Sequence, residues 1–173
     1  NPCKCGFFPD LGKCRCTPTQ IRRYLNRVSG PFLDRIDIGV EVPRQDLGMM
    51  AAEKSIDEGS FPQTEQRNSS AVMRARVMEA RARQEKRFAD ESISYNSQMT
   101  RRQIEEYCRL SGEDAVFLEK VERQQGISAR GHGKILKVAR TLADLDGQAE
   151  IGRTQLAEAI GFRSFEKKYW GSL

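Results

Sequence analysis

Apolar residues recur at helical spacing along most of this chain. Thr17-Pro18-Thr19-Gln20 reads as a helix start: Thr17 can cap, Pro18 suits the first helical position and Gln20 completes a capping box. Ile21, Leu25 and Val28 then form one stripe, with Arg22, Arg23 and Arg27 elsewhere on the helix, and Ser29-Gly30-Pro31 ends it. After a short turn, Ile36, Ile38, Val40 and Val42 alternate with Asp37, Gly39 and Glu41. That period of two predicts a strand, stopped by Pro43. One strand by itself leaves unpaired backbone on both edges, so the N-terminal part is expected to belong to a larger sheet domain.

Gly48, Gly59, Ser60 and Pro62 interrupt any period over residues 46–67, which read as a linker. Everything beyond it reads as helix. Asn68-Ser69-Ser70 opens a helix to about Asp90, with Met73, Val77, Ala80 and Phe88 on one face. Ser97 precedes a second helix holding Met99, Ile104, Tyr107 and Cys108. Ser111-Gly112-Glu113-Asp114 resembles a capping box for a third, and Ser128 caps a fourth that carries Ile135, Val138, Ala139 and Leu142. A fifth runs from about Arg153 to Ile160, with a possible extension to Tyr169. The expected fold is mainly α: a helix and one strand over 1–45, a linker over 46–67, and a bundle of about five helices over 68–173.

Composition refines this picture in two places. The 173 residues carry 29 Lys plus Arg against 24 Asp plus Glu, a formal charge of +5. The excess is local, since residues 1–45 and 68–87 are each at +4 while the linker is acidic. Such blocks fit a polyanion-facing surface such as DNA, or only a dispersed soluble domain. There is no run of about 20 apolar residues that could span a bilayer, so neither a membrane protein nor a secreted precursor is expected.

The second place is cysteine. Four of five fall in the first sixteen residues, as Cys3-x-Cys5 and Cys14-x-Cys16. Four thiolates could close a tetrahedral zinc site. Reduced surface thiols and a disulfide pair remain alternatives. Cys108 stands alone in a helical stretch and reads as a small core residue.

No catalytic set is visible. His132 is the lone histidine, and Gly131-His132-Gly133-Lys134 fails as a phosphate loop because Ile135 stands where Ser or Thr belongs. Two arginines stand out. Arg35 sits beside a predicted strand end, either as an arginine finger or in an ion pair with Asp34 or Asp37. Arg130 lies in the first turn of a helix, where anions are favoured, or is simply exposed there.

Asn1-Pro2-Cys3-x-Cys5-Gly6, Cys14-x-Cys16-Thr17-Pro18-x-Gln20-Ile21-x-Arg23-Tyr24-Leu25 and Ser29-Gly30-Pro31-x-Leu33-Asp34-Arg35-Ile36-Asp37 resemble the magnesium-chelatase-like AAA+ ATPases of the ComM competence-protein type. Ser128-Ala129-Arg130 and the run from Leu136 to Leu145 resemble the C-terminal helical domain of that family. The resemblance implies that residues 1–45 are part of an AAA+ α/β core and that the helices form its lid. It implies sensor 1 at Asn1, an arginine finger at Arg35 that reaches a neighbouring subunit, and sensor 2 at Arg130. ATP and Mg²⁺ in the intact protein, a homo-oligomeric ring of hexamer type, action on DNA during recombination and a cytoplasmic location are implied with them. The phosphate-binding loop is expected upstream of Asn1, so the chain alone is expected to be inactive. Two other readings stay open: a four-cysteine zinc module that binds nucleic acid without ATPase activity, and a magnesium-chelatase subunit.

Overall fold

In the computed structural model, which describes residues 2–42 and 69–170, helices start where side chains can satisfy their free N–H groups. Thr17 caps α1 (Pro18–Leu25) through a reciprocal box: Gln20 N donates to Thr17 Oγ1 at 3.3 Å and Thr17 N to Gln20 Oε1 at 2.9 Å. Ile21 and Leu25 are its buried residues, as the stripe predicts. A single turn, α2 (Gly30–Leu33), follows where the sequence suggests only a break and a turn.

The strand expected at Ile36–Val42 is not formed. No strand occurs among the described residues, and the segment runs without regular structure. Its backbone has no neighbouring strand to join. It bonds instead to the far end of the chain: Gly39 N donates to Phe162 O at 2.9 Å, and Ile36 O accepts from Arg163 Nη1 at 2.9 Å. Val40 and Val42 are 69% and 86% exposed, so their alternation marks no buried sheet face. The linker expected over 46–67 lies outside the described residues.

The helical region holds α3 (Ser70–Arg87), a 3₁₀ turn (Asn96–Gln98), α4 (Arg101–Tyr107), α5 (Gly112–Gln125), α6 (Ala129–Leu145), α7 (Arg153–Gly161) and α8 (Ser164–Tyr169). These are six helices where about five are expected, because the last stretch breaks between Gly161 and Ser164. The second of them starts later than expected: Thr100, not Ser97, is the cap, with Gln103 N donating to Thr100 Oγ1 and Thr100 N to Gln103 Oε1. Ser69, Ser111 and Ser128 cap α3, α5 and α6. Gly126, at φ 67°, ends α5 in the left-handed region that favours glycine.

α6 is the centre of this bundle, packing on α3, α4, α7 and the 3₁₀ turn. Ile135, Ala139 and Ala143 on α6 are fully buried with Leu118 of α5 and Leu156 of α7. Each large aliphatic side chain removed from water contributes about 1.5–3 kcal/mol. Cys108 sits in this core as expected, and burial pushes its thiol up to about 11. The apolar face predicted for α3 is only half used. Ala80 and, just past the helix end, Phe88 are buried, whereas Met73 and Val77 are about half exposed.

Below that core lies an ionic one. Asp144, fully buried, accepts from Arg87 through both oxygens, with Arg87 Nη1 to Asp144 Oδ2 at 2.8 Å. Asn96 Nδ2 donates to the same Oδ2 at 2.8 Å, and Arg140 Nη2 lies 3.2 Å from Oδ1. Arg140 also donates to the carbonyls of Gln148 and Ala149 at 2.7 and 2.8 Å. Charges this deep persist only when paired and hydrogen-bonded.

Candidate functional site

Arg35 follows α2 and is held by its own turn, with Nη1 donating to Pro31 O at 3.0 Å. Its side chain is exposed. The expected alternative, an ion pair with Asp34 or Asp37, is not formed, because other cations engage both acids. Asp37 Oδ1 lies 2.7 Å from Lys134 Nζ, and Asp34 Oδ1 lies 3.8 Å from Arg163 Nη2. Arg163 is only 5% exposed and also ties down Ile36 O. The turn is therefore fastened to α6 and to the α7–α8 junction, while Arg35 makes no ion pair among the described residues. A rigid mount with a guanidinium that makes no ion pair among the described residues is what an arginine acting on an external phosphate requires.

Arg130 projects from the first turn of α6, where Ser128 Oγ accepts from Gly131 N at 3.1 Å. It is exposed, makes no ion pair among the described residues and lines a cleft of about 850 Å³. Ile104 and Leu136 line this cleft together with Arg101, His132, Lys134 and Lys137. The other polar side chains there are engaged: Arg101 with Glu105, Lys134 with Asp37, Lys137 with Ser97 O, and His132 Nδ1 at 2.7 Å from Glu122 Oε1. That leaves Arg130 as the cation in the cleft best able to take an anion, beside a helix N-terminus that favours one. The Asp37–Lys134 pair links the turn of Arg35 to the helix of Arg130. Asn1 lies outside the described residues.

The four N-terminal cysteines converge. Their Sγ atoms all lie within 4.8 Å of one another. Cys3–Cys5, Cys5–Cys14 and Cys3–Cys14 are 3.4, 3.6 and 3.8 Å apart. All are free thiols, much farther apart than the roughly 2.05 Å of a disulfide. Gly6, at φ 78°, turns the chain after Cys5, and Asp10 O accepts from Lys13 N and Cys14 N to bring the second pair back. Backbone N–H groups of Phe7 and Arg15 favour a thiolate on Cys5 and hold it down to about 6. Burial pushes Cys3 up, but the N–H groups of Phe8 and Gly6 outweigh it and its pKa is lowered. The N–H of Cys16 pulls Cys14 down, yet burial and the neighbouring Cys5 and Cys3 sulfurs push it up to about 11. The cluster favours negative charge on some thiols and resists it on the rest, as crowded sulfurs do.

Comparison with known proteins decides the family. Residues 67–163 match the family described as magnesium chelatase, subunit ChlI C-terminal, and residues 1–50 match magnesium chelatase, subunit ChlI. The chain belongs to the magnesium-chelatase-like family of the ComM type. It is 39% identical over 165 residues to the competence protein ComM of Haemophilus influenzae, covering 95% of this chain and 29% of that protein. It is 40% identical over 167 residues to the uncharacterized protein YifB of Escherichia coli, covering 96% of this chain and 30% of that one. A Mycobacterium bovis relative, the uncharacterized protein Mb2921c, is 31% identical over 163 residues, 94% of this chain and 30% of that protein. The chain thus spans about a third or less of the length of these relatives.

In this magnesium-chelatase-like chain the residues that hold the site were harder to read than the residues that form it. Arg163 lies at the α7–α8 junction and carries no motif, yet it anchors the turn of Arg35 through Ile36 O, 127 residues away. Lys134 stands in the sequence only as part of a failed phosphate loop, and its Asp37 contact is likewise long-range. Their one shared signal was charge opposite to Asp34 and Asp37, which a chain with 29 cations does not single out.

Proposed function

We propose that this chain supplies an arginine finger, Arg35, and a phosphate sensor, Arg130, to a ring-forming, ATP-driven motor that acts on DNA. Asn1 serves as sensor 1 in this reading, and ATP with Mg²⁺ is bound by the intact protein. The ring is a homo-oligomer, a hexamer by the family resemblance, so that Arg35 of one subunit reaches the nucleotide of the next. The observation that carries the reading is the state of Arg35: exposed and unengaged by either adjacent acid, on a turn fastened by Arg163 and Lys134. The name of the Haemophilus influenzae relative, a competence protein, supports work on DNA in natural transformation and recombination. No helix among the described residues is long and apolar enough to cross a membrane, and the clustered reduced thiols suit a cytoplasmic location.

The test is Arg35→Ala in the intact protein. Turnover is expected to fall about 10³–10⁵-fold while nucleotide binding persists, since a finger stabilises the transferring phosphoryl group without forming its cradle. Wild-type turnover in that variant would return Arg35 to a structural part. The 173-residue chain contains no GxxxxGK[ST] and is expected to show no turnover alone.

A second reading, a zinc module that binds nucleic acid without ATPase activity, draws on the converged cysteines. Salt-sensitive DNA affinity in the 173-residue chain, with no turnover by the intact protein, would favour it. A chelatase subunit is the third reading, and metal insertion into a tetrapyrrole by the intact protein would favour that one.

A further inference from the structure

We propose that Cys3, Cys5, Cys14 and Cys16 hold one structural Zn²⁺, and that this ion seats the end of the chain, Tyr169 and Trp170, against the N-terminal region. The proposal does not depend on the ATPase reading.

The geometry comes first. Zn–S bonds of about 2.3 Å in a tetrahedron place sulfurs about 3.8 Å apart. The separations among Cys3, Cys5 and Cys14, 3.4, 3.6 and 3.8 Å, lie at or just inside that edge, and Cys16 completes the set within 4.8 Å. An iron–sulfur cluster fits less well, because bridging sulfides between the irons would hold the thiolates farther apart. Hard cations such as Mg²⁺ and Ca²⁺ take oxygen, and none is offered by these four side chains. Four thiolates leave no open position, so the ion would build structure and not perform chemistry.

The second part rests on what packs around the sulfurs. The N-terminal core consists of buried Cys3, Ile21 and Leu25, with Cys5, Phe8, Cys14, Cys16, Tyr169 and Trp170 packed against it. Four of those nine are the thiols themselves. So small an apolar cluster supplies little stability, the usual circumstance in which a structural metal is recruited. Tyr169 and Trp170 arrive from beyond α7. The Trp170 indole N–H donates to Leu25 O at 3.1 Å, and the Phe8 and Tyr169 rings lie 6.3 Å apart. An ion that fixes the two cysteine arms also fixes Phe8 between them and the face on which Trp170 rests.

Trp170 is the one tryptophan of the chain, so its emission reports on this seat. The 173-residue chain, purified with a thiol reductant and without added metal, is expected to carry one zinc by elemental analysis. Stripping with a strong chelator should shift Trp170 emission to the red, and Zn²⁺ alone should reverse the shift. Co²⁺ added to stripped protein should give the intense visible bands of a tetrahedral tetrathiolate site. The Cys14→Ser, Cys16→Ser double variant should lose the zinc, and Cys108→Ser should keep it. If the double variant fails to fold, the Co²⁺ spectrum of the wild-type chain still decides ligation. Less than a tenth of an equivalent of zinc together with no cobalt–thiolate bands would overturn the site. Iron in place of zinc would overturn the choice of metal. Stoichiometric zinc with Trp170 emission indifferent to its removal would overturn the seating.

Discussion

Two regions of this molecule reach stability by different means. The helical region, 69–170, buries large aliphatic side chains around α6 and sinks an ionic network beneath them. The N-terminal region, 2–42, buries Cys3, Ile21, Leu25 and Leu33 and gathers four thiols. The difference follows from size. Surface grows more slowly than volume, so a hundred residues can enclose a core while forty cannot without a staple. The smaller region therefore borrows from the larger: Trp170, Tyr169, Arg163 and Lys134 all come from beyond residue 130 to hold it.

The sharpest way to break this comparison is Asp144→Ala. It leaves Arg87 and Arg140 buried without their carboxylate and should cost about 3–5 kcal/mol. A thermal melt followed by far-ultraviolet circular dichroism reads this directly. A loss below about 1 kcal/mol would mean that the aliphatic packing, not the ionic network, holds the helical region.

A smaller effect tests whether the two regions share local rules. Thr17 and Thr100 form the same reciprocal box with Gln20 and Gln103, one in each region. Thr17→Ala and Thr100→Ala should each cost about 1 kcal/mol in denaturant unfolding. If only Thr100→Ala is felt, α1 depends on its tertiary seat more than on its cap.

The smallest effect concerns the seam. Glu41 accepts from Lys168 and Tyr169, and Lys168 first, then Tyr169, holds the Glu41 carboxyl below its usual range. A depressed folded-state pKa means that the contact stabilises the fold fully above the unfolded value of about 4.3. That contribution is lost as pH falls through the lower folded value. Both groups are about half exposed, so the effect is modest. Trp170 emission followed below pH 5 should show an acid shift that Glu41→Gln already displays at neutral pH. Identical acid curves for the two proteins would assign the shift elsewhere.

Legibility followed the range of the interaction. Caps at Thr17, Ser69, Ser111 and Ser128 were readable because a cap and its partner lie three residues apart. The aliphatic core was readable from helical period, and Cys108 with it. Ile36–Val42 misled for the same reason that α1 did not. Its alternation is local, but a strand needs a partner, and the nearest backbone it finds is that of Phe162. Met73 and Val77 misled likewise, since a stripe tells which face is apolar and not how far along the helix a neighbour extends. The candidate site divides the same way. Arg35 and Arg130 were named from local context and family resemblance, and Asn1 lies outside the described residues. The absence of an Arg35 pair with Asp34 or Asp37 could not have been seen, because it depends on Arg163 and Lys134.

The sequence by itself determined the helical character, most helix starts, the aliphatic core and the family, all properties of neighbours within a turn or of motifs in order. Only the tertiary structure decided that Asp144 would be the buried hub, that four thiols would meet within 4.8 Å, and that Arg35 would be left without Asp34 or Asp37 as an ion-pair partner. Each of those depends on which groups, tens of residues apart, reach a given charge or sulfur first, and periodicity along a chain carries no information about that.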